Sequence, residues 1–124
     1  MNALGKQGEQ IAEQYLINQN YNIVARNLQS SHLEIDLIAQ KNDTLAIVEV
    51  KTRQTNFFGN PENAVNKSKQ KNLFKATQQF LETYKNTNPK LEIRFDIIAI
   101  TINNKQKNID IQHFKDAFHY QPQT

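Results

Sequence analysis

The sequence predicts an α/β protein in which helices flank a mixed central sheet, with elements in the order αβββαβ. Three observations carry that prediction. Residues 33–39 and 45–51 alternate in the period-2 manner of paired strands. Residues 5–19 and the stretch beyond Pro61 repeat apolar side chains at helical spacing. Asp96-Ile97-Ile98-Ala99-Ile100 is apolar enough to be buried on both faces, as a parallel strand reached through a helical crossover must be.

The elements follow in turn. With Ala12 as reference and steps of about 100°, Gly5, Gly8, Tyr15 and Leu16 share one apolar stripe of the first helix. Glu9 lies at the edge of that stripe, and Gly8 permits a close approach of helix to sheet. Residues 21–28 read as a first strand, followed by the alternating pair. A loop over 54–60 carries Phe57-Phe58-Gly59. Pro61 is expected to open the second helix with Asn60 as its cap. Leu73, Thr77, Phe80, Leu81 and Tyr84 form its buried face, and it stops before Asn86-Thr87-Asn88-Pro89. A strand over 91–102, a turn at Asn103-Asn104-Lys105 and a short strand around 109–112 come next. Residues 114–120 are expected to make a helical turn. The core runs from about 5 to 118 within one domain spanning 1–124, with 119–124 as a tail.

Lysines and arginines number 15 against 12 acidic residues, giving a formal charge of +3. That mild excess is compatible with nucleic acid but does not single it out. With no cysteine there is neither a disulfide framework nor a thiolate metal site. His32, His113 and His119 are too scattered to propose a zinc site and are read as surface or packing residues. The N-terminus lacks the apolar core of a signal peptide, and no apolar run could span a membrane. A cytoplasmic protein is expected.

The alternating pair holds the chemistry. Asn42-Asp43 suits a two-residue hairpin connection. Opposed residues then have numbers summing to 85, so Asp36 faces Glu49, Glu34 faces Lys51, and all four share a face. Opposed side chains have Cβ atoms roughly 4.5–5.5 Å apart, and like charges there repel. One resolution is bland: a Glu34–Lys51 ion pair, with Asp36 and Glu49 solvated. Glu49 weakens it, because Ile47-Val48-Glu49-Val50 is the most apolar stretch of the pair and an uncompensated carboxylate is costly there. The other resolution is a divalent cation held by Asp36 and Glu49 beside Lys51, which suits phosphodiester cleavage.

Several segments in order extend this reading: Gly5-x-x-Gly8-Glu9, Ala12-x-x-Tyr15-Leu16, Arg26-Asn27, Glu34-Ile35-Asp36-Leu37-Ile38-Ala39, Val48-Glu49-Val50-Lys51-Thr52-Arg53 and Arg94-Phe95-Asp96-Ile97-Ile98-Ala99. Together they resemble the YraN-like family of small bacterial proteins. The resemblance runs from about residue 5 to Phe118, closing with Ile111-Gln112-His113-Phe114-Lys115-Asp116-Ala117-Phe118. It implies a restriction-endonuclease-like fold, similar to that of archaeal Holliday junction resolvases. Their site combines a helical Glu, a strand Asp and a Glu-x-Lys, roles that map onto Glu9, Asp36, Glu49 and Lys51. Ile35 stands where such nucleases commonly have proline, and Leu33 and Asn20 stand where the YraN-like pattern has glycine. None of these departures removes a metal ligand.

The expected function is nucleic-acid binding with divalent-metal-dependent endonuclease activity, on branched or structured DNA ahead of RNA. The alternative is a non-catalytic nucleic-acid-binding module on the same scaffold. Asp36, Glu49 and the Val50 carbonyl are expected to hold Mg²⁺ or Mn²⁺ through oxygen. Lys51 would orient the attacking water or offset developing charge, and Glu9 would hydrogen-bond a metal-bound water. Arg53 extends the Glu49–Lys51 face toward a bound strand. Lys67, Lys71 and Lys75 form a stripe along the second helix, either a solvated face or a row of phosphate contacts. Phe57 and Phe58 either pack against that helix or stack on bases. A homodimer fits the resolvase resemblance, and no membrane partner is expected.

Overall fold

A computed structural model describes residues 3–54, 65–84 and 86–119. Its elements are α1 (Ala3–Asn18), β1 (Asn22–Ser30), β2 (Leu33–Lys41), β3 (Thr44–Arg53), α2 (Lys67–Thr83), β4 (Glu92–Asn103) and β5 (Asn108–Phe118). The strands form one sheet in the order β1-β2-β3-β4-β5. Only the β3–β4 pair is parallel; β1–β2, β2–β3 and β4–β5 are antiparallel. This is the mixed sheet that the αβββαβ order predicts, with β5 added at the edge.

Each helix covers one face. Ala12 and Leu16 of α1 pack on Leu37, Ala39, Ala46, Val48, Ile98 and Ile100. Leu73 and Ala76 of α2 pack on Ile38, Leu45, Ile47, Phe95 and Ile97 of the opposite face. β4 is buried without interruption from Phe95 to Ile100, as its unbroken apolar run requires.

Helix α1 ends in a six-residue reverse turn. The Tyr21 N–H donates to the Leu16 carbonyl and the Asn20 N–H to the Ile17 carbonyl, each at 3.0 Å. Asn20 takes the left-handed conformation this motif needs, with φ 70°. Glycine adopts that conformation at no steric cost, and asparagine is the residue that best replaces it. Asn20 therefore makes the turn without a glycine. Tyr21 and Leu16 are both buried and close the end of the helix.

Three boundaries differ from the expectation. Helix α2 begins at Lys67, not at Pro61, because Asn66 is its cap: its backbone is extended and its side chain accepts from the Lys69 N–H at 2.9 Å. Asn60, Pro61, Phe57 and Phe58 lie outside the described residues. β1 runs on to Ser30, where Ser31, at φ 57°, turns the chain directly into β2. Residues 114–118 continue β5 instead of forming a helical turn. Phe114 pairs with Ile97 and Phe118 with Phe95, across a bulge centred on Asp116 at φ 56°. The four-residue spacing of the two phenylalanines mimics a helix, but the Asp116 N–H donates to Asp96 Oδ1 at 3.0 Å and fixes the bulge.

Candidate functional site

The hairpin register is the one deduced. Leu37 pairs with Val48, Ile38 with Ile47, Ala39 with Ala46 and Lys41 with Thr44, with Asn42 in the turn at φ 53°. Every pair sums to 85. The next pair in that series is Asp36 and Glu49, and there the ladder stops. The Val50 N–H donates instead to Asp36 Oδ2, at 2.9 Å, so a side chain takes the place of a backbone partner.

A fault in strand alternation creates this position. Leu37 and Ala39 pack beneath α1, yet Ile35 packs beneath α2. On β1, Ala25 and Leu28 both lie on the α2 side, while Arg26 reaches Glu13 of α1. Between them stands Asn27, at φ 45°, opposite Asp36. The two strands turn over together at Asn27 and Asp36, and β2 leaves β3. The expected Glu34–Lys51 facing pair is therefore not formed as a ladder pair, since the strands have already parted.

The gap opens into a cleft of about 460 Å³ lined by Glu9, Asn27, Gln29, Glu34, Asp36, Glu49, Val50, Lys51 and Lys69. Because it lies where β2 leaves β3, both helices reach it. Glu9 comes from α1, hydrogen-bonded by Asn27. Lys69 comes from the first turn of α2 and pairs with Glu49, Nζ to Oε1, at 2.7 Å. Glu9 is held in place by its neighbour: a Cβ built on Gly8 would lie 1.8 Å from Thr52 Oγ1 and 2.7 Å from Thr52 Cβ. The missing side chain lets α1 sit directly on the end of β3.

Electrostatics follow from burial. Asp36 and Glu49 are 9% and 5% exposed. Burial first, then the Glu49 charge, pushes the Asp36 carboxyl up to about 8, against the opposing pull of the Val50 N–H. Glu9 is raised by burial and by Glu34 and Glu49. Lys51 is lowered by burial and by the adjoining Lys69 ammonium. For Lys69 burial acts downward, but the bond to Glu49 prevails and raises it. Four carboxylates and two ammoniums thus share one cleft.

Arg53 and the lysine row lie outside the lining of the cleft. Arg53 ends β3 opposite Thr101 and does not line the cleft. Lys67, Lys71 and Lys75 are exposed on the outer face of α2. Lys69 is a cleft residue that the sequence expectation does not include, although the pattern holds a signal for it. It stands four residues before Leu73, on the helix's buried stripe, and a lysine on an apolar stripe at a helix end points at something it must neutralise.

Comparison with known proteins agrees with the sequence resemblance. The model of the uncharacterised protein family UPF0102 matches residues 8–100. The chain belongs to the UPF0102 family. A UPF0102 protein of Chlorobium phaeobacteroides is 44% identical over 119 residues, covering 93% of this chain and 92% of that protein. UPF0102 proteins of Chloroherpeton thalassium and Clostridium beijerinckii are 41% and 39% identical, over 97% and 93% of this chain and 96% and 92% of theirs. The UPF0102 match takes in Glu9, Asp36, Glu49, Lys51 and Lys69. No helix among the described residues is long and apolar enough to cross a membrane.

Within this UPF0102 fold a second polar cluster lies on the α1 face, away from the cleft. Asp96 is fully buried. It accepts two bonds from Arg94 and one from His113, each at 2.8 Å, besides that from the Asp116 N–H. Arg94 also donates to the Tyr21 hydroxyl, and Tyr15 meets the other ring nitrogen of His113. Burial pushes Asp96 up, but the bonds from His113, Arg94 and the Asp116 N–H together hold it below the usual carboxylate range. His113 therefore has the packing role expected of it, tying β5 and α1 to β4. His119 is exposed and pairs with Asp116.

Proposed function

We propose that this UPF0102 chain is a divalent-metal-dependent endonuclease that hydrolyses phosphodiester bonds in nucleic acid, with structured DNA as the first substrate class to test. The observation that carries this reading is the meeting of two buried carboxylates, Asp36 and Glu49, with Lys51 in a solvent-open cleft.

The donor set fits a hard dication. Both carboxyl groups offer oxygen, and the Glu49 charge raises the cost of ionising Asp36, a repulsion that a dication between them relieves. Among the described residues no three His, Asp or Glu side chains converge to hold a metal unaided. Asp36 and Glu49 would thus be completed by the Val50 carbonyl and water. When bound, Mg²⁺ or Mn²⁺ supplies Lewis acidity and an acidified water.

The chain's own residues do the rest. Glu9 hydrogen-bonds and orients a water on the α1 side of the cleft. Lys51 offsets negative charge building on the phosphate. The first turn of α2 holds Lys67 and Lys69 and no acidic residue. That places cations at the positive end of the helix dipole, an arrangement an anion offsets. Arg53 and the exposed row Lys67, Lys71 and Lys75 extend the surface along which a phosphate backbone would lie.

The test is Mn²⁺-dependent cleavage of branched, flapped and single-stranded DNA. Wild type should cut at least one of them, and Asp36→Ala should lose about 10²–10³-fold in rate. Equal rates for the two proteins would refute the assignment. A second reading, a binding module without catalysis, is favoured by the Lys69–Glu49 ion pair, which neutralises Glu49 internally. DNA binding that ignores divalent ions, with no cleavage, would select it.

A further inference from the structure

Lys69 holds one of the two proposed metal ligands. Its ammonium lies 2.7 Å from Glu49 Oε1, yet its side chain is 41% exposed while that of Glu49 is 6% exposed. One end of the pair is thus set in the sheet, while the other, which also meets Lys51, is open to solvent. The lysine stem is flexible and its ammonium is a compact, well-hydrated charge. The backbone that carries it is anchored, because the Lys69 N–H is bound by Asn66 at the helix cap. An ammonium and a dication compete for the same Glu49 oxygen, and the dication has Asp36 as a second anionic ligand.

We infer that Lys69 is an exchangeable counter-ion: it neutralises Glu49 in the metal-free protein and transfers to a substrate phosphate when a divalent cation takes Glu49. This rests on the metal reading given above. Displaced from Glu49, the ammonium stays in the cleft beside Lys51, where a substrate phosphate competes for it with Glu9 and Glu34 of the same wall. Metal binding then creates a phosphate contact that the metal-free protein lacks. Because linkage is reciprocal, phosphate binding strengthens metal binding by the same factor.

Calorimetric titration with Mn²⁺ tests the first half. Lys69→Met should bind Mn²⁺ roughly 5–50-fold more tightly than wild type, since the competitor is gone. Lys69→Arg should stay near wild type. Lys6→Met removes an exposed charge three residues before Glu9 and should shift affinity less than about twofold, which separates competition from a general change in charge. Duplex binding tests the second half, with Ca²⁺ as the oxygen-seeking ion. Without Ca²⁺, Lys69→Met should bind DNA as wild type does. With Ca²⁺ it should bind more weakly, and its slope of log affinity against log salt should be flatter by about 0.9, one phosphate contact. Lys69→Gln repeats both arms if the methionine variant folds poorly. Unchanged or weaker Mn²⁺ affinity in Lys69→Met, or equal loss of DNA binding with and without Ca²⁺, overturns the exchange. If Asp36→Ala binds Mn²⁺ as wild type does, the metal reading itself fails.

Discussion

Asp96→Ala should cost about 3–5 kcal/mol of stability, the range for removing one partner of a buried, hydrogen-bonded charge pair. The carboxylate is fully buried and receives Arg94 twice, His113 and the Asp116 N–H. Without it the Arg94 charge is left beside an apolar cavity and three elements lose their common tie. Asp96→Asn should recover little, because its amide nitrogen can accept no bond from the donors that surround it. Urea denaturation measures the effect directly. Against a total stability of about 5–15 kcal/mol for a domain of ordinary size, either variant should be close to unfolding at 37 °C. A loss below about 1 kcal/mol would mean that the network is not the clasp its geometry implies.

Gly8→Ala is the second large effect. The added methyl would lie 1.8 Å from Thr52 Oγ1, far inside van der Waals contact. Either Thr52 leaves its rotamer or α1 lifts from β3. Because Thr52 Cβ is only 2.7 Å away, a rotamer change alone cannot clear the clash. Overpacking of this kind costs about 1–3 kcal/mol, and more where backbone must move. The helix that lifts also carries Glu9, so the variant should lose both stability and the Glu9 side of the cleft. Thr52→Ala should rescue it only in part, since the Cβ remains, whereas Thr52→Gly should restore more. Thermal melts of the single and double variants give the coupling; independent, additive losses would contradict it.

The sequence made some of this plain. Asn42-Asp43 left one register for β2 and β3, and that register sets Asp36 against Glu49. The apolar run of β4 foretold burial on both faces. What stayed hidden depends on distant partners. The bulge in β5 is fixed by a bond from Asp116 to Asp96, twenty residues away. The fault at Asn27 rests on a left-handed asparagine that nothing adjacent demands. Its effect is to let β2 leave β3, and strict alternation gives no hint of it. Pro61 suits the first position of a helix, but Asn66 supplies the cap. Lys69 is hard to single out among the lysines of α2, because what distinguishes it is its place on the inner stripe, next to a carboxylate of a distant strand.

Asp36 offers the most direct measurement of the central claim, that it and Glu49 form a pair made for a dication. Its carboxyl is raised from 3.8 to about 8 in the folded protein. Between those values the native state holds a proton that the unfolded chain has released, so stability falls as pH rises. The slope is at most about 1.4 kcal/mol per pH unit, and each kcal/mol moves the melting temperature by roughly 2–8 °C. Asp96 has the opposite sign, being held below 3.8, and acts only in more acidic solution. Thermal melts from pH 5 to 8.5, with and without Mn²⁺, should therefore show metal-free wild type losing stability with rising pH. Mn²⁺ should restore it, more strongly at pH 8 than at pH 5, because the ion replaces the proton. Asp36→Ala should show a flatter profile, a higher melting temperature than metal-free wild type at pH 8, and no gain from Mn²⁺. A wild-type profile that is level or rising over this range, or an equal Mn²⁺ effect on wild type and Asp36→Ala, would contradict the claim.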